Sequence, residues 1–365
     1  MKKAAALVLA LLAGGGAARA APALEGVPHY DHIFVIIAEN KSFARMAAHP
    51  EWAPNLTQLS ARYGSATNFY AESHPSEPNY VAMVGGDTFG IRDDDAYYCK
   101  PGMKDAFCGR TERAGYADHS IAVRSLADQL AEHQLSWKSY AEDRPAPGSL
   151  VPRWPNADSP AAGKPFDLYA AKHDGFINFA SVHDAPERER AAHLVDFDRL
   201  YADLASGDVP NYAQIVPNQC NDMHGLSGAN VPADCHGTEG LVGRGDAEIG
   251  MLVGRIMQSP AWAKGNSAIV ITFDEDDGPS GIGAPQGCCG YDPSSAANFG
   301  GGRIMTLVIT NHGAHPVADP TPYNHYSLLR TVEDAFGISE HLRHAGDSAK
   351  GVVAMAPLFA GSPEP

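Results

Sequence analysis

The sequence predicts an α/β protein with a mostly parallel central sheet and helices on both faces. Short apolar runs typical of buried strands alternate along the chain with amphipathic helical patterns, and this alternation is typical of parallel sheets covered by helices. Acidic and imidazole side chains follow three of the apolar runs. At 365 residues, the chain is long enough for one large domain of this class with insertions.

The first twenty residues are interpreted as an export signal. Two lysines precede an apolar run, and Ala18-Arg19-Ala20 supplies the small residues of a cleavage site. We expect residues 21–365 to form a single α/β domain with an excursion near 142–190, because the stretch 145–165 is rich in Pro, Ala, Gly and Ser. The expected location is secreted or periplasmic. No transmembrane segment is predicted, since no other apolar run approaches the ~18 residues that a span needs.

The chain carries a formal net charge of −16. This charge argues against a nucleic-acid partner, whose phosphates require a basic surface, and against attraction to anionic membranes. A well-solvated exported protein and a cation-binding protein both fit such a composition.

The six cysteines suggest disulfides, because an even count is typical of exported chains with structural bridges. The simplest pairing joins Cys99 to Cys108 and Cys220 to Cys235. Cys288 and Cys289 then form a vicinal pair or exchange partners with the others. No CxxC pattern is present, so a zinc–thiolate site is not expected.

Four apolar runs are predicted as buried strands and four periodic segments as helices. The strands are 32–38, 211–217, 267–273 and 304–310. The helices are 54–63, 123–133, 247–257 and 325–336. In open α/β sheets, ligands bind outside the carboxyl ends of the strands, so the residues that follow the strands are the candidates for function.

Three of the predicted strands are followed by side chains that suit a cation. These are Glu39 and Asn40 after the first strand, Asp222 and His224 after the second, and Asp274 and Glu275 after the third. Clustered carboxylates repel one another and favour a cation. Hard oxygen ligands with a few imidazoles suit Zn, Mn, Fe or Ca, so we predict a divalent metal ion as the cofactor.

The run from Asp274 to Gly278 resembles a calcium loop but fails the EF-hand template. Gly278 falls where the fifth-position ligand should be. We therefore interpret Asp274 and Glu275 as strand-end ligands, and Asp276 and Asp277 as solvated turn residues.

The stretch SHPSEPNY, residues 73–80, holds Ser76 between two prolines. The apolar run that follows it and the nearby proline predict a helix that starts near this serine. The positive end of a helix favours a phosphate there. A serine hydroxyl needs a base or a metal for activation, and no G-x-S-x-G elbow surrounds this one. The alternative is a helix N-cap without chemistry.

Five segments together resemble the secreted phosphoesterase family, which contains bacterial and fungal acid phosphatases and bacterial phospholipase C of the non-toxin type. The segments are HIFVIIAENKSF, HPSEPNYVAMVGG, VPNQCNDMHG, ITFDEDDG and YNHYSLLRTVEDAFGI. This family belongs to the alkaline phosphatase superfamily of metal-dependent α/β enzymes. The resemblance implies an alkaline phosphatase-like fold and a phosphate-ester substrate, with phosphoinositides and phospholipids among the substrates of the family.

The resemblance also implies roles for individual residues. Ser76 would be the phosphorylated nucleophile and a metal ligand, and Asn79 would donate to a phosphoryl oxygen. The expected metal ligands besides Ser76 are Glu39, Asn40, Asp222, Asp274 and Glu275. The expected active-site histidines are His224 and His325, as metal ligands or as contacts to the phosphate and the leaving group. Asn40-Lys41-Ser42 also matches a glycosylation sequon, and the strand-end ligand is the preferred interpretation.

The segment after Glu39 departs from the phospholipase pattern, because it continues as Ala44-Arg45-Met46-Ala47 instead of Asp-His and an aromatic-Gly pair. This departure favours the acid phosphatase branch. The leading hypothesis is therefore an exported, metal-dependent phosphomonoesterase that acts through a phosphoserine. The alternatives are a phospholipase C-type phosphodiesterase and a non-catalytic exported cation-binding protein.

Overall fold

The computed structural model describes residues 23–155, 166–228, 231–278, 286–294 and 298–360. The strands are β1 (His32–Ala38), β2 (Gly64–Tyr70), β3 (Trp137–Ala141), β4 (Arg153–Trp154), β5 (Tyr169–Ala170), β6 (Leu194–Val195), β7 (Tyr212–Val216), β8 (Ser267–Phe273), β9 (Arg303–Thr310) and β10 (Ala318–Asn324). The helices are α1 (Phe43–Ala48), α2 (Pro54–Arg62), α3 (Ser76–Gly85), α4 (Leu126–Glu132), α5 (Ala180–His183), α6 (Glu187–His193), α7 (Phe197–Ser206), α8 (Glu239–Met257), α9 (Pro260–Lys264), α10 (His325–Ala335) and α11 (Ala356–Phe359). Short 3-10 helices include Ala171–His173 and Gly175–Asn178.

The central sheet has eight strands in the order β10-β2-β9-β8-β1-β7-β3-β6. Strand β9 runs antiparallel to both of its neighbours, and the other described pairings in this sheet are parallel. Strand β1 lies between β8 and β7, with Ile36 level with Ile271 on one side and Ile215 on the other. The predicted α/β class with a mostly parallel sheet is confirmed.

The three central strands are almost completely buried, which explains why they appear in the sequence as continuous apolar runs. Helix α10 begins after Asn324, whose side chain accepts a hydrogen bond from the Ser327 N–H and so caps the first turn. Because β8, β1 and β7 are adjacent and parallel, their carboxyl ends meet at one edge. The residues that follow these strands are therefore brought together.

The predicted excursion near 142–190 is more structured than a surface loop. It contains the β4-β5 pair and the two 3-10 helices named above. Gly175 lies so close to α3 that a Cβ atom there would stand 2.1 Å from the Tyr80 carbonyl oxygen, so only glycine allows this approach. Residues 156–165 and the predicted export signal lie outside the described residues.

Three disulfides are present in the described part of the chain. They join Cys99 to Cys108, Cys220 to Cys235, and the adjacent Cys288 and Cys289. The two local pairings are as expected, and the last pair takes the vicinal alternative. Across the described ranges, no helix combines the length and apolar character needed to cross a membrane.

Candidate active site

Ser76 is the first residue of α3 and follows Pro75, which occupies the N-cap position. Its side chain is 2% exposed. The Ser76 hydroxyl donates to Glu39 Oε2 at 2.9 Å, so the serine at the helix start faces the residue that directly follows β1. The predicted helix start and the predicted strand-end acid are thus in direct contact.

Asn79 holds the loop before Ser76 through its side-chain amide. Its Oδ1 accepts from the Glu72 and Ser73 N–H groups, each at 3.1 Å. Its Nδ2 donates to the carbonyls of Ser73 at 2.9 Å and Pro75 at 3.2 Å. The amide group is therefore fully used by the backbone of residues 72–75, which leaves no amide hydrogen for the phosphoryl oxygen that we expected it to bind.

Three buried carboxylates meet at the sheet edge. Glu39, Asp222 and Asp274 are each 0% exposed. Asn40 connects two of them, since its backbone N–H donates to Asp274 Oδ1 at 3.0 Å and its Nδ2 donates to Glu39 Oε2 at 3.0 Å. The Glu39 N–H donates to the Asp222 carbonyl at 2.7 Å. We call Glu39, Asp222 and Asp274 the carboxylate cluster.

Two histidines border the carboxylate cluster. His173 Nε2 lies 3.2 Å from Glu39 Oε1, and its Nδ1 lies 3.4 Å from Asp222 Oδ2. Nitrogen or oxygen atoms of Glu39, His173 and His224 lie within 4.8 Å of one another. His224 Nδ1 is 2.7 Å from the Gly225 carbonyl, which favours the tautomer that donates from Nδ1 and leaves Nε2 as a ligand.

The ionisation of this site favours cation binding. Burial, followed by the nearby Lys172 ammonium, lowers the pKa of His224 to about 4 and that of His173 well below its usual value. Both imidazoles are therefore neutral, as metal ligands must be. Burial also raises the pKa of Glu39 well above its ordinary value, with further contributions from the carboxylates of Asp274 and Asp222.

The donor set fits a divalent metal ion. Glu39 Oε1, Asp222 Oδ2, Asp274 Oδ2 and His173 Nε2 are buried and have no hydrogen-bond partner among the described residues. Buried polar atoms are normally paired, and three buried carboxylates with two neutral imidazoles are the oxygen and nitrogen ligands that Zn, Mn or Fe accept. The residues present therefore match the predicted cofactor class.

Glu275 and the two aspartates after it form a different group. Glu275 Oε2 lies 2.7 Å from His74 Nδ1, and His74 Nε2 lies 3.3 Å from Asp276 Oδ1. Although burial opposes the charge, the carboxylates of Asp276 and Glu275 raise the pKa of His74 to about 10. Glu275 is thus paired with an imidazolium beside the carboxylate cluster.

Asp277 is not the solvated turn residue that the sequence suggested. Its carboxylate accepts from Ser42 Oγ at 2.6 Å and from Arg45 Nε at 2.8 Å. Asp276 is likewise half-buried and contacts His74. These aspartates fix the start of α1 and the position of His74, because each carboxylate satisfies donors from a distant part of the chain.

His325 lies behind the strand ends and has no ring nitrogen available. Its Nδ1 is 2.5 Å from Glu72 Oε2, and its Nε2 is 3.0 Å from the Phe273 carbonyl. Although burial opposes the charge, Glu72 raises the pKa of His325. Two acceptors facing the two ring nitrogens require both to donate. The structure therefore places His325 as a buried partner of Glu72, with no ring nitrogen left for the metal ion or phosphate that we expected it to contact.

Several residues near Ser76 and the carboxylate cluster were not predicted from the sequence. His173 and Lys172 come from a 3-10 helix inside the predicted excursion, and no strand or motif precedes them. Tyr80 stacks on His173 with ring centroids 5.3 Å apart. His74 lies two residues before Ser76, and only this proximity to the serine motif could have indicated a role for it.

A family model and several curated proteins match most of this chain. The Phosphoesterase family model matches residues 49–339. A phosphatidylinositol-3-phosphatase from Mycobacterium tuberculosis is 27% identical over 321 residues, which cover 87% of this chain and 80% of that protein. A phosphate-repressible acid phosphatase from Penicillium chrysogenum is 26% identical over 309 residues, covering 85% of this chain and 60% of that enzyme. The chain therefore spans less than two thirds of the fungal relative.

A solved sulfatase structure shows the same fold at low sequence identity. This sulfatase, from a Pseudoalteromonas species, is 12% identical, with a TM-score of 0.50 over 91% of this chain and 72% of that chain. A protein in the alkaline phosphatase superfamily from Vibrio parahaemolyticus is also 12% identical, with a TM-score of 0.49 over 87% of this chain and 69% of that chain. Because the family model covers most of the sequence, the chain belongs to the phosphoesterase family and is a hydrolase that acts on phosphate esters.

Proposed function

We propose that this protein is a metal-dependent phosphomonoesterase in which Ser76 carries the phosphoryl group transiently. The observation that supports the proposal best is the contact between the Ser76 hydroxyl and Glu39 Oε2, at 2.9 Å, at the start of α3. A serine at this position lies where the helix dipole favours negative charge, beside carboxylates that favour a cation.

The residues that would hold the metal ion are Glu39, Asp222, Asp274, His173 and His224. When bound, a divalent ion lowers the pKa of a coordinated hydroxyl and offsets the negative charge of a transferring phosphoryl group. The neutral state of the two imidazoles and the unpartnered carboxylate oxygens support this assignment. Asn40 holds the carboxylates in place through its two hydrogen bonds.

Ser76 supplies the nucleophile in a two-step transfer. In the first step, a bond forms between Ser76 Oγ and phosphorus, the bond between phosphorus and the ester oxygen breaks, and the alcohol leaves with a proton. In the second step, water adds to phosphorus, the Oγ–phosphorus bond breaks, and inorganic phosphate leaves. The hydrogen bond to Glu39 and the loop held by Asn79 fix the direction of Oγ, so little reorganisation precedes attack.

The substrates that we propose are phosphate monoesters, including phosphoinositides. The names of the mycobacterial and fungal relatives support this choice. Export of the protein is part of the proposal, supported by the leader-like start of the sequence and by disulfides, which persist in oxidising compartments.

The test compares release of inorganic phosphate from p-nitrophenyl phosphate with release of phosphocholine from phosphatidylcholine vesicles. We expect phosphate release by the wild type and a loss of at least about 10³-fold in Ser76→Ala, since the nucleophile is removed. The matched control is Ser259→Ala. Ser259 is also buried and caps α9, so this variant should lose stability and keep turnover.

Three results would contradict the proposal. Phosphocholine release without phosphate release would identify a phosphodiesterase. Wild-type turnover in folded Ser76→Ala would exclude the serine as nucleophile. Cation binding without turnover of either substrate would favour the non-catalytic alternative.

A further inference from the structure

A cleft of about 240 Å³ opens beside Glu77, the residue that follows Ser76. Its walls include Glu77, Tyr97, Phe107 and Lys172. The cleft shares two structural elements with the carboxylate cluster. Helix α3 contributes Ser76 to the carboxylate cluster and the next residue, Glu77, to the cleft. The 3-10 helix 171–173 contributes Lys172 to the cleft and the next residue, His173, to the cluster.

Lys172 occupies the cleft side of that 3-10 helix, whereas its neighbour His173 contacts the carboxylate cluster. The Lys172 side chain is 15% exposed. Among the described residues its ammonium makes one hydrogen bond, to Asp94 Oδ2 at 2.8 Å. An ammonium group has three hydrogen-bond donors. Two donors are therefore available to an acceptor that enters the cleft, at a site where water access is restricted.

Asp94 fixes Lys172 relative to the nucleophile. Its second oxygen, Oδ1, accepts the Glu77 backbone N–H at 3.1 Å. One carboxylate thus joins the ammonium to the residue directly after Ser76. The ammonium is held beside the first turn of α3, whose dipole also favours an anion.

The other carboxylates of the cleft accept hydrogen bonds from the protein, and only Glu77 Oε2 among their oxygens has no partner in the described part of the chain. Glu77 Oε1 accepts from His119 at 2.8 Å and from Asn178 at 2.6 Å. Asp95 accepts from the Gly109 and Arg110 N–H groups at 2.9 and 2.8 Å. Three of the four oxygens of Glu77 and Asp95 are therefore occupied by protein donors, which limits their competition for the remaining donors of Lys172.

We propose that Lys172 binds the phosphoryl oxygens of the substrate at the inner end of this cleft, that Asp94 positions it, and that the cleft receives the alcohol part of the ester. The chemistry matches, because a phosphate monoester presents several anionic oxygen acceptors. Tyr97 and Phe107 offer apolar surface to the alcohol. The inference rests on the proposed function for the identity of the nucleophile.

The experiment measures the dissociation constant of inorganic phosphate by titration calorimetry and the kcat/KM for p-nitrophenyl phosphate, both on metal-replete protein. Lys172→Met should weaken phosphate binding by about 10- to 100-fold, the scale of one hydrogen bond to a charged group, and should lower kcat/KM. Lys172→Arg should recover part of the binding, and Asp94→Asn should weaken it less than Lys172→Met does.

The matched control is Lys138→Met. Lys138 also forms an ion pair with a buried aspartate, Asp203, and its side chain is 16% exposed, but it lies on β3. This variant should lose stability and keep the phosphate affinity of the wild type. Equal phosphate affinity in folded Lys172→Met and wild type would overturn the inference.

The two proposals can fail separately. Phosphate binding that depends on Lys172 in a wild type that does not hydrolyse p-nitrophenyl phosphate would support the phosphate site and contradict the phosphatase function. Hydrolysis and phosphate affinity that are both indifferent to Lys172 would contradict the inference alone. A folded, metal-replete wild type that neither binds phosphate nor hydrolyses the ester would contradict both.

Discussion

Asp274→Asn should be more stable than the wild type in chelator and should gain less stability from added metal. Asp274 is 0% exposed, and its charge raises the pKa values of Glu39 and Asp222. Asparagine is nearly isosteric and keeps an oxygen to accept the Asn40 N–H. The substitution therefore removes one charge from the carboxylate cluster and leaves its backbone contacts in place.

In the presence of chelator, the variant should be more stable than the wild type. The wild type then keeps three buried carboxylates without a cation, and relief of this repulsion should raise the free energy of unfolding by about 1–4 kcal/mol, the scale on which replacing buried charges stabilises a protein. The sign follows from the raised pKa values, which show that the ionised forms are disfavoured at this site.

In the presence of metal, this advantage should shrink by about 2.3 kcal/mol. At a metal concentration about 100 times the wild-type dissociation constant, binding adds ~2.7 kcal/mol to stability. Loss of an outer-shell partner weakens metal binding by up to about 100-fold. Loss of one anionic ligand should weaken it at least as much. The same concentration then adds only ~0.4 kcal/mol to the variant.

Chemical denaturation at fixed metal concentration and in chelator measures all four stabilities. Asp246→Asn is the control, because Asp246 is a buried acid whose oxygens accept the Asn55 and Leu56 N–H groups. It should lose stability by the same amount in both conditions. A metal increment in Asp274→Asn equal to that of the wild type would refute the assignment of Asp274 as a ligand.

Two further predictions concern buried groups outside the carboxylate cluster. His325→Gln should lower the free energy of unfolding by about 3–5 kcal/mol, because it leaves Glu72 as an uncompensated buried charge. Adding Glu72→Gln to the same chain should recover part of this loss. A fall in turnover of about 100-fold or more in the folded His325→Gln variant would instead indicate a catalytic role, since this is the scale of one acid–base residue. Burial raises the pKa of Glu333 to about 7. Between pH ~4.5 and 7 the folded state therefore binds a proton that the unfolded state has lost, so the free energy of unfolding falls as the pH rises. Glu333→Gln should therefore match the wild type below pH ~4.5 and exceed its stability by up to about 3 kcal/mol above pH 7; parallel stability–pH curves for the two proteins would contradict this.

The sequence predicted the buried parts of the fold better than its edges. Strands β1 and β8 match their predicted bounds, because a central strand is apolar on both faces. Strand β10 was missed, since its sequence ADPTPYN carries two prolines and is exposed at alternate positions. Prolines are tolerated at a sheet edge, and β10 lies at the edge.

The residues of the candidate site were also only partly predictable from the sequence. Glu39 and Asp274 directly follow apolar strands, so their meeting at the sheet edge was predictable. His173 was not, because it reaches the carboxylate cluster from the excursion through the contact of Gly175 with α3. Glu275 was assigned from its place after a strand and from the family resemblance, and His325 was assigned from the resemblance. Their partners, His74 and Glu72, come from a distant part of the chain, and tertiary packing determines such pairs.

The central claim is that the carboxylate cluster and its histidines hold a divalent ion that turnover requires. The direct test is elemental analysis of the purified protein together with its rate on p-nitrophenyl phosphate, before chelation, after chelation and after metal is returned. We expect the bound metal and the rate to fall together and to recover together. Full activity in protein shown to be metal-free would contradict it.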